Sequence, residues 1–198
     1  MCKAMSRLAQ LAGSQRSLIS FLSILLGVTA GCAVRQNASI TETISNEDVV
    51  QTQPVVHSYS FAMGRADAAK QLVSGFYPVE NQQWRWTAGN FSILLATPAA
   101  AATRGANLLF VFALPDAILQ RTGPITLTAS LNETEVGKAT YDMQGSQRFF
   151  AKIPSALLQQ SPVAIDFHLD RYVAKGVLEA REFGVIAESI SLEANENR

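Results

Sequence analysis

Residues 108–131 read LLFVFALPDAILQRTGPITLTASL, and the fold class turns on them. Residues 108–114 form a nearly continuous apolar run between Asn107 and Pro115, the pattern of a buried strand. Residues 116–121 leave room for one short helical turn, closed by Gly123-Pro124. Residues 125–131 then alternate, with Ile125, Leu127, Ala129 and Leu131 on one face and Thr126, Thr128 and Ser130 on the other. Two strands joined without a crossover helix predict an antiparallel sheet rather than a βαβ unit.

The same grammar continues on the C-terminal side. Asn132-Glu133 predicts a turn and residues 135–142 the returning strand, with Val136 and Tyr141 as inward anchors. Residues 147–153 predict another strand, stopped by Pro154, and residues 155–160 a helical turn with a serine cap. In residues 163–169 Val163, Ile165, Phe167 and Leu169 point inward, which puts Asp166 and His168 together on the opposite face. Residues 170–183 read as a charged loop and residues 185–192 as the closing strand.

On the N-terminal side, residues 65–74, RADAAKQLVS, predict one short helix ending at Gly75. Pro78 marks a turn, and residues 83–87 and 90–96 predict two strands around a tight turn at Ala88-Gly89. Residues 98–105, PAAAATRG, read as a loop of small residues. Short strands spaced by turn signals, with one short helix and no internal repeat, predict an all-β fold: an antiparallel β-sandwich, jelly-roll-like, over residues 57–194.

The first 56 residues read differently. Lys3, Arg7 and Arg16 precede an apolar run at residues 18–30, LISFLSILLGVTA. Thirteen residues are too few for a spanning helix, which needs about 20; the length fits the core of a signal peptide over residues 1–31. Ala30-Gly31-Cys32 resembles the bacterial lipobox, in which the cysteine receives lipid after cleavage. Thr29 departs from it, since leucine or a similar residue usually stands there. A plain secretory signal or an uncleaved anchor fits the same run. Each places the body beyond the inner membrane: in the periplasm, on a membrane, or secreted. Residues 32–56 are polar and predict a flexible tether behind a lipidated Cys32. Ala33 lacks the aspartate that goes with inner-membrane retention in enteric bacteria, which favours the outer membrane.

Bulk composition narrows the function. Without residues 1–31 the chain keeps 13 of its 16 basic side chains against all 16 acidic ones, a net of −3. That is no footprint for nucleic acid. The chain has two cysteines, Cys2 and Cys32, so cleavage before Cys32 leaves no pair for a disulfide. Stability then rests on a hydrophobic core, and roughly 140 residues are enough to bury one.

The stretch 75–87, GFYPVENQQWRWT, holds both tryptophans. Strand phase puts Trp84 and Trp86 on one face, where exposed rings would form a platform for sugars and buried rings would be core. Glu80 and Arg85 read as an ion pair bracing the turn at Pro78 or as ligand contacts, and Tyr77 adds a hydroxyl to either. Trp84, Tyr77, Arg85 and Glu80 are therefore the candidate ligand-binding residues. Asp166, His168 and Asp170 fall short of a zinc set, and Asp166 and His168 read as a solvated strand face. No nucleophile elbow, selected carboxylate pair or glycine-rich phosphate loop is present, so neither an enzyme nor a cofactor is expected.

Gly75, Phe76, Tyr77, Glu80, Arg85, Trp86 and Thr87, with Arg181-Glu182-Phe183-Gly184 before the last strand, resemble a β-sandwich module of bacterial envelope proteins. That module is attached to cell-envelope polysaccharide glycosyltransferases and their relatives. The late motif there runs Arg-x-Leu-Gly, and Phe183 replaces the leucine. The resemblance spans about residues 73–193 and fixes Trp86 while leaving Trp84 free. It implies a jelly roll and an association with carbohydrate or the envelope, and it implies no catalytic residue; the expected role is binding of glycan or of a protein partner in its assembly, the alternative a purely structural lipoprotein without a ligand.

Overall fold

A computed structural model describes residues 57–196. The leader, Cys32 and the tether lie outside the described residues. In chain order the strands are β1 (Ser60–Ala62), β2 (Leu72–Glu80), β3 (Trp84–Leu95), β4 (Ala106–Leu114), β5 (Ile125–Leu131), β6 (Thr134–Tyr141), β7 (Gly145–Ile153), β8 (Val163–Leu169) and β9 (Ile186–Ala194). Two short helices lie among them, α1 (Ala101–Arg104) and α2 (Asp116–Thr122), with 3-10 turns at Ala66–Lys70 and Ser155–Leu157. Among the described residues no helix is long and apolar enough to cross a membrane.

Every pairing between these strands is antiparallel, in the order β6-β5-β8-β3-β9-β4-β7, with β2 on β3 and β1 on β9. The path folds over at β3. Its C-terminal half, from Asn90 to Leu95, pairs with β8, while Arg85 and Trp86 pair with β9. One strand thus belongs to both layers, a corner of the kind that joins sheets in sandwiches. The alternation of β4, β5 and β8 puts Phe110, Leu127, Ile165 and their same-face neighbours inside. Phe91 and Phe167 stack at 4.9 Å, and both meet Phe110 of the facing layer, at 5.7 and 5.1 Å. Such aromatic pairs add about 0.5–1.5 kcal/mol each beyond the area they bury.

The expected antiparallel jelly-roll-like sandwich is the fold found, and several local readings change. The helix expected at residues 65–74 is a 3-10 turn over Ala66–Lys70, and Leu72 already pairs with Ile93. Gln71 stops it. Its buried amide donates to the Ser58 and Leu94 carbonyls, both at 2.8 Å, and accepts from the Ser58 N–H at 2.9 Å. Those three bonds satisfy a buried polar group and tie the turn to β3.

Gly75 is no helix cap. It sits within β2 at φ 74°, and a Cβ there would lie 2.1 Å from the Asn90 carbonyl oxygen. The register of β2 slips three times, and it tolerates Pro78 because β2 is an edge strand. The two strands expected around Ala88-Gly89 are one strand, β3; the break in pattern marks its passage between layers rather than a hairpin. The loop expected at residues 98–105 contains α1, whose Ala101 is buried. The turn at Asn132-Glu133 is confirmed, with both residues at positive φ. Along the open side, β6 meets β7 through the Tyr141 hydroxyl, which donates to the Arg148 carbonyl at 3.0 Å, and burial pushes that hydroxyl's pKa up to about 12.

Candidate functional site

Two neighbouring regions hold the residues that carry chemistry. The first is the aromatic stretch. Glu80 ends β2, and its carbonyl accepts from the Gln83 N–H at 3.1 Å across Asn81 and Gln82, both at positive φ. That turn returns the chain into Trp84 and places the stretch beside residues 181–185, about a hundred positions later.

The two segments interlock. The Tyr77 hydroxyl accepts from the Glu182 N–H at 2.9 Å, and the Glu182 carboxylate accepts from the Gly89 N–H at 3.1 Å. Glu80 pairs with Arg181 at 3.0 Å, not with Arg85 as the sequence spacing allowed. Arg85 instead donates to the carbonyls of Met63, at 3.1 Å, and Tyr77, at 3.2 Å. A guanidinium offers five donors in several directions, and two of them are taken here by converging backbone oxygens.

The Arg181 guanidinium lies 5.3 Å from the centre of the Tyr77 ring and 4.7 Å from that of Phe183. It also approaches Glu179 at 3.2 Å, an ionic contact whose angle does not make a hydrogen bond. Trp86 packs on the core and meets Phe183 edge-on at 5.0 Å. Thr87 is fully buried: its hydroxyl accepts from the Val185 N–H at 3.0 Å, its own N–H donates to the Val185 carbonyl, and its carbonyl accepts from Gly184. A Cβ on Gly184 would come within 2.6 Å of Ala88 O and Thr87 Oγ1, so the approach needs glycine.

Of the four candidate ligand residues, Tyr77, Glu80 and Arg85 are thus hydrogen-bonded inside the molecule, and Trp84 is half-buried at the start of β3. Both motifs behind the family resemblance meet in this corner. Phe183 takes its place there through its ring, as the contacts with Trp86 and Arg181 show.

The second region is the outer face of β2, β3, β8 and β5. Cross-strand register aligns Ser74, Ser92, Asp166 and Ser130 in one row and Asn90, His168 and Thr128 in the next. The inward partners of these residues, Phe91, Phe167 and Ala129, hold the rows in place from below. His168 Nδ1 lies 2.7 Å from Asn90 Oδ1. Among the described residues the side chains of Ser74, Ser92, Thr128, Ser130 and Asp166 make no hydrogen bond. The face holds a depression of about 180 Å³ whose lining includes Asp166, Ser130 and the buried Ser92.

Alternation in residues 163–169 foretold that Asp166 and His168 share this face. The companions Asn90 and Ser92 lay in the expected strand 90–96, where no register linked them to Asp166 and His168, and Ser74 fell in the helix expected at residues 65–74. Read unbroken, β3 already shows Asn90 and Ser92 opposite Phe91 and Ile93. Among the described residues no three His, Cys, Asp or Glu side chains gather as a metal site.

No protein-family model matches the sequence, and no curated protein matches it. One similar solved structure is that of CBM51-2 in complex with GlcNAc and INT domains from Clostridium perfringens ZmpB. The TM-score is 0.32 and the identity 9%, over 70% of this chain and 29% of that one. A likeness of that degree carries no argument about what this chain does.

Proposed function

We propose that this protein is a non-catalytic binding module of the bacterial cell envelope, held at a membrane by lipid on Cys32, whose sandwich binds glycan through the outer face of β3, β8 and β5. Envelope polysaccharide, or an intermediate of its assembly, is the partner this reading assigns. One observation carries it: Ser92, Asp166 and Ser130 stand in register beside Asn90 and His168, and among the described residues the side chains of those three make no hydrogen bond. Hydroxyl, carboxylate and carboxamide groups at strand spacing complement a hydroxyl-rich ring, which both donates and accepts. The lipid anchor and outer-membrane placement rest on the leader's resemblance to a lipobox.

The test is calorimetric titration of the protein with a panel of envelope polysaccharides and their oligosaccharides. Binding of at least one, lost in Asp166→Ala with thermal stability unchanged, is the expected result. Silence across the panel would sink the glycan reading. For the anchor, Cys32→Ser should abolish lipid labelling and membrane retention.

A further inference from the structure

The polar depression does not end at β2. Ser74 also lines a second depression of about 340 Å³ on the outer side of that strand. There the walls are Leu72, Val73, Phe76, Tyr77 and Pro78. Arg85 also lines this hollow, and its guanidinium keeps its charge while donating to the Met63 and Tyr77 carbonyls. Ser74 is therefore the seam between a polar hollow and an apolar one.

β2 is unusual for an edge. From Leu72 to Val79 it carries no charge, and Val73 is 56% and Val79 39% exposed. Exposed edges are normally guarded with charged residues against strand addition. Here the guard is geometric: three register slips, Gly75 at positive φ and Pro78 deny a second strand any continuous ladder. The apolar surface is thus unsuited to pairing with another chain while staying open to a small occupant.

We infer that the site takes an amphipathic saccharide: a sugar ring over Asp166, Ser92 and Ser130 with an apolar substituent laid across Ser74 into the hollow beside Val73 and Phe76. This rests on the glycan reading above and adds the ligand's second half. Each methylene of the substituent removed from water contributes to binding in proportion to the area covered.

Matched methyl and hexyl glycosides in gluco, galacto and manno configurations test this, titrated into the full chain by calorimetry, with sedimentation run on the same samples. In a configuration that binds, the hexyl glycoside should bind at least tenfold tighter than the methyl one. Val73→Asp should reduce that ratio to under threefold and leave the methyl glycoside's affinity unchanged. Val73 is exposed, so the substitution spares the core. Equal affinity of the two glycosides would overturn the inference while the glycan site stood. So would 1-hexanol binding as tightly as the hexyl glycoside, or a dimer that Val73→Asp converts to monomer. No binding of any glycoside, together with silence across the polysaccharide panel, would remove both readings.

Discussion

The interlocked corner and the open face both lie along β3, less than ten residues apart, and treat their polar groups in opposite ways. At the corner Tyr77, Glu80, Arg85 and Thr87 are bound to backbone or to the 181–185 segment. On the face the side chains of Ser92, Asp166 and Ser130 make no hydrogen bond among the described residues. The difference shows why residue type alone misassigns sites. Tyrosine, arginine and glutamate look like ligand groups, yet here each is held by a bond inside the fold. Serines and an aspartate look like solvated surface, yet Ser92 is buried and none of the three has a hydrogen-bond partner among the described residues.

Substitutions at the corner should therefore cost stability, and substitutions on the face should cost binding. The largest effect is expected at Trp86. Its replacement by alanine empties the packing against Phe183 and should destabilise by about 2–4 kcal/mol in chemical denaturation, below the full core value because the ring is half-buried. Trp84→Ala, which removes a ring not packed on the core, should cost distinctly less; equal losses would erase the contrast between the two tryptophans.

Thr87→Val is the sharper probe of hydrogen bonding. It keeps the shape and strands the buried Val185 N–H, so a loss of about 1–3 kcal/mol is expected. Arg181→Met breaks a pair that is partly exposed, with side-chain accessibilities of 26% for Arg181 and 38% for Glu80. It should cost only about 1 kcal/mol or less. The larger readout there is faster proteolysis between residues 174 and 180. On the face, Asp166→Ala and Ser130→Ala should move stability by no more than about 0.5 kcal/mol, while glycan affinity falls. A large stability loss would mean that the face is braced as the corner is.

Tyr141, away from both regions, serves as a pH control. Burial holds its hydroxyl neutral up to about pH 12 when folded, whereas an unfolded tyrosine ionises near pH 10. The unfolded state therefore releases its proton first. The contribution is whole below pH 10 and is lost as pH rises towards 12. Tyr141→Phe should flatten that part of the alkaline decline in melting temperature and leave the contrast between corner and face unchanged.

Much of this molecule was legible because strands buried on one face write their phase into the chain. Ile125 to Leu131 and Val163 to Leu169 needed no tertiary information to be read. Residues 65–74 misled because alanine-rich local preference was overridden by Gln71, whose three bonds reach residues 13 and 23 positions away. Ala88-Gly89 misled because a tight turn and a strand crossing between layers leave the same small-residue mark. The partner of Glu80 was out of reach of any spacing rule, since Arg181 lies 101 positions along. Within the aromatic stretch, its role in fastening the fold was readable; which of its groups were free was not.

The sequence distance across the corner also bears on how the chain folds. The bonds from Tyr77, Glu80 and Thr87 span 98 to 105 positions. Closing so long a loop costs entropy before any contact rewards it, which slows folding. The corner is therefore expected to form after the β5–β6 hairpin, with Thr87→Val speeding unfolding and scarcely changing the refolding rate. A chain still being synthesised would carry β2 and β3 without their clasp until residue 185 emerged.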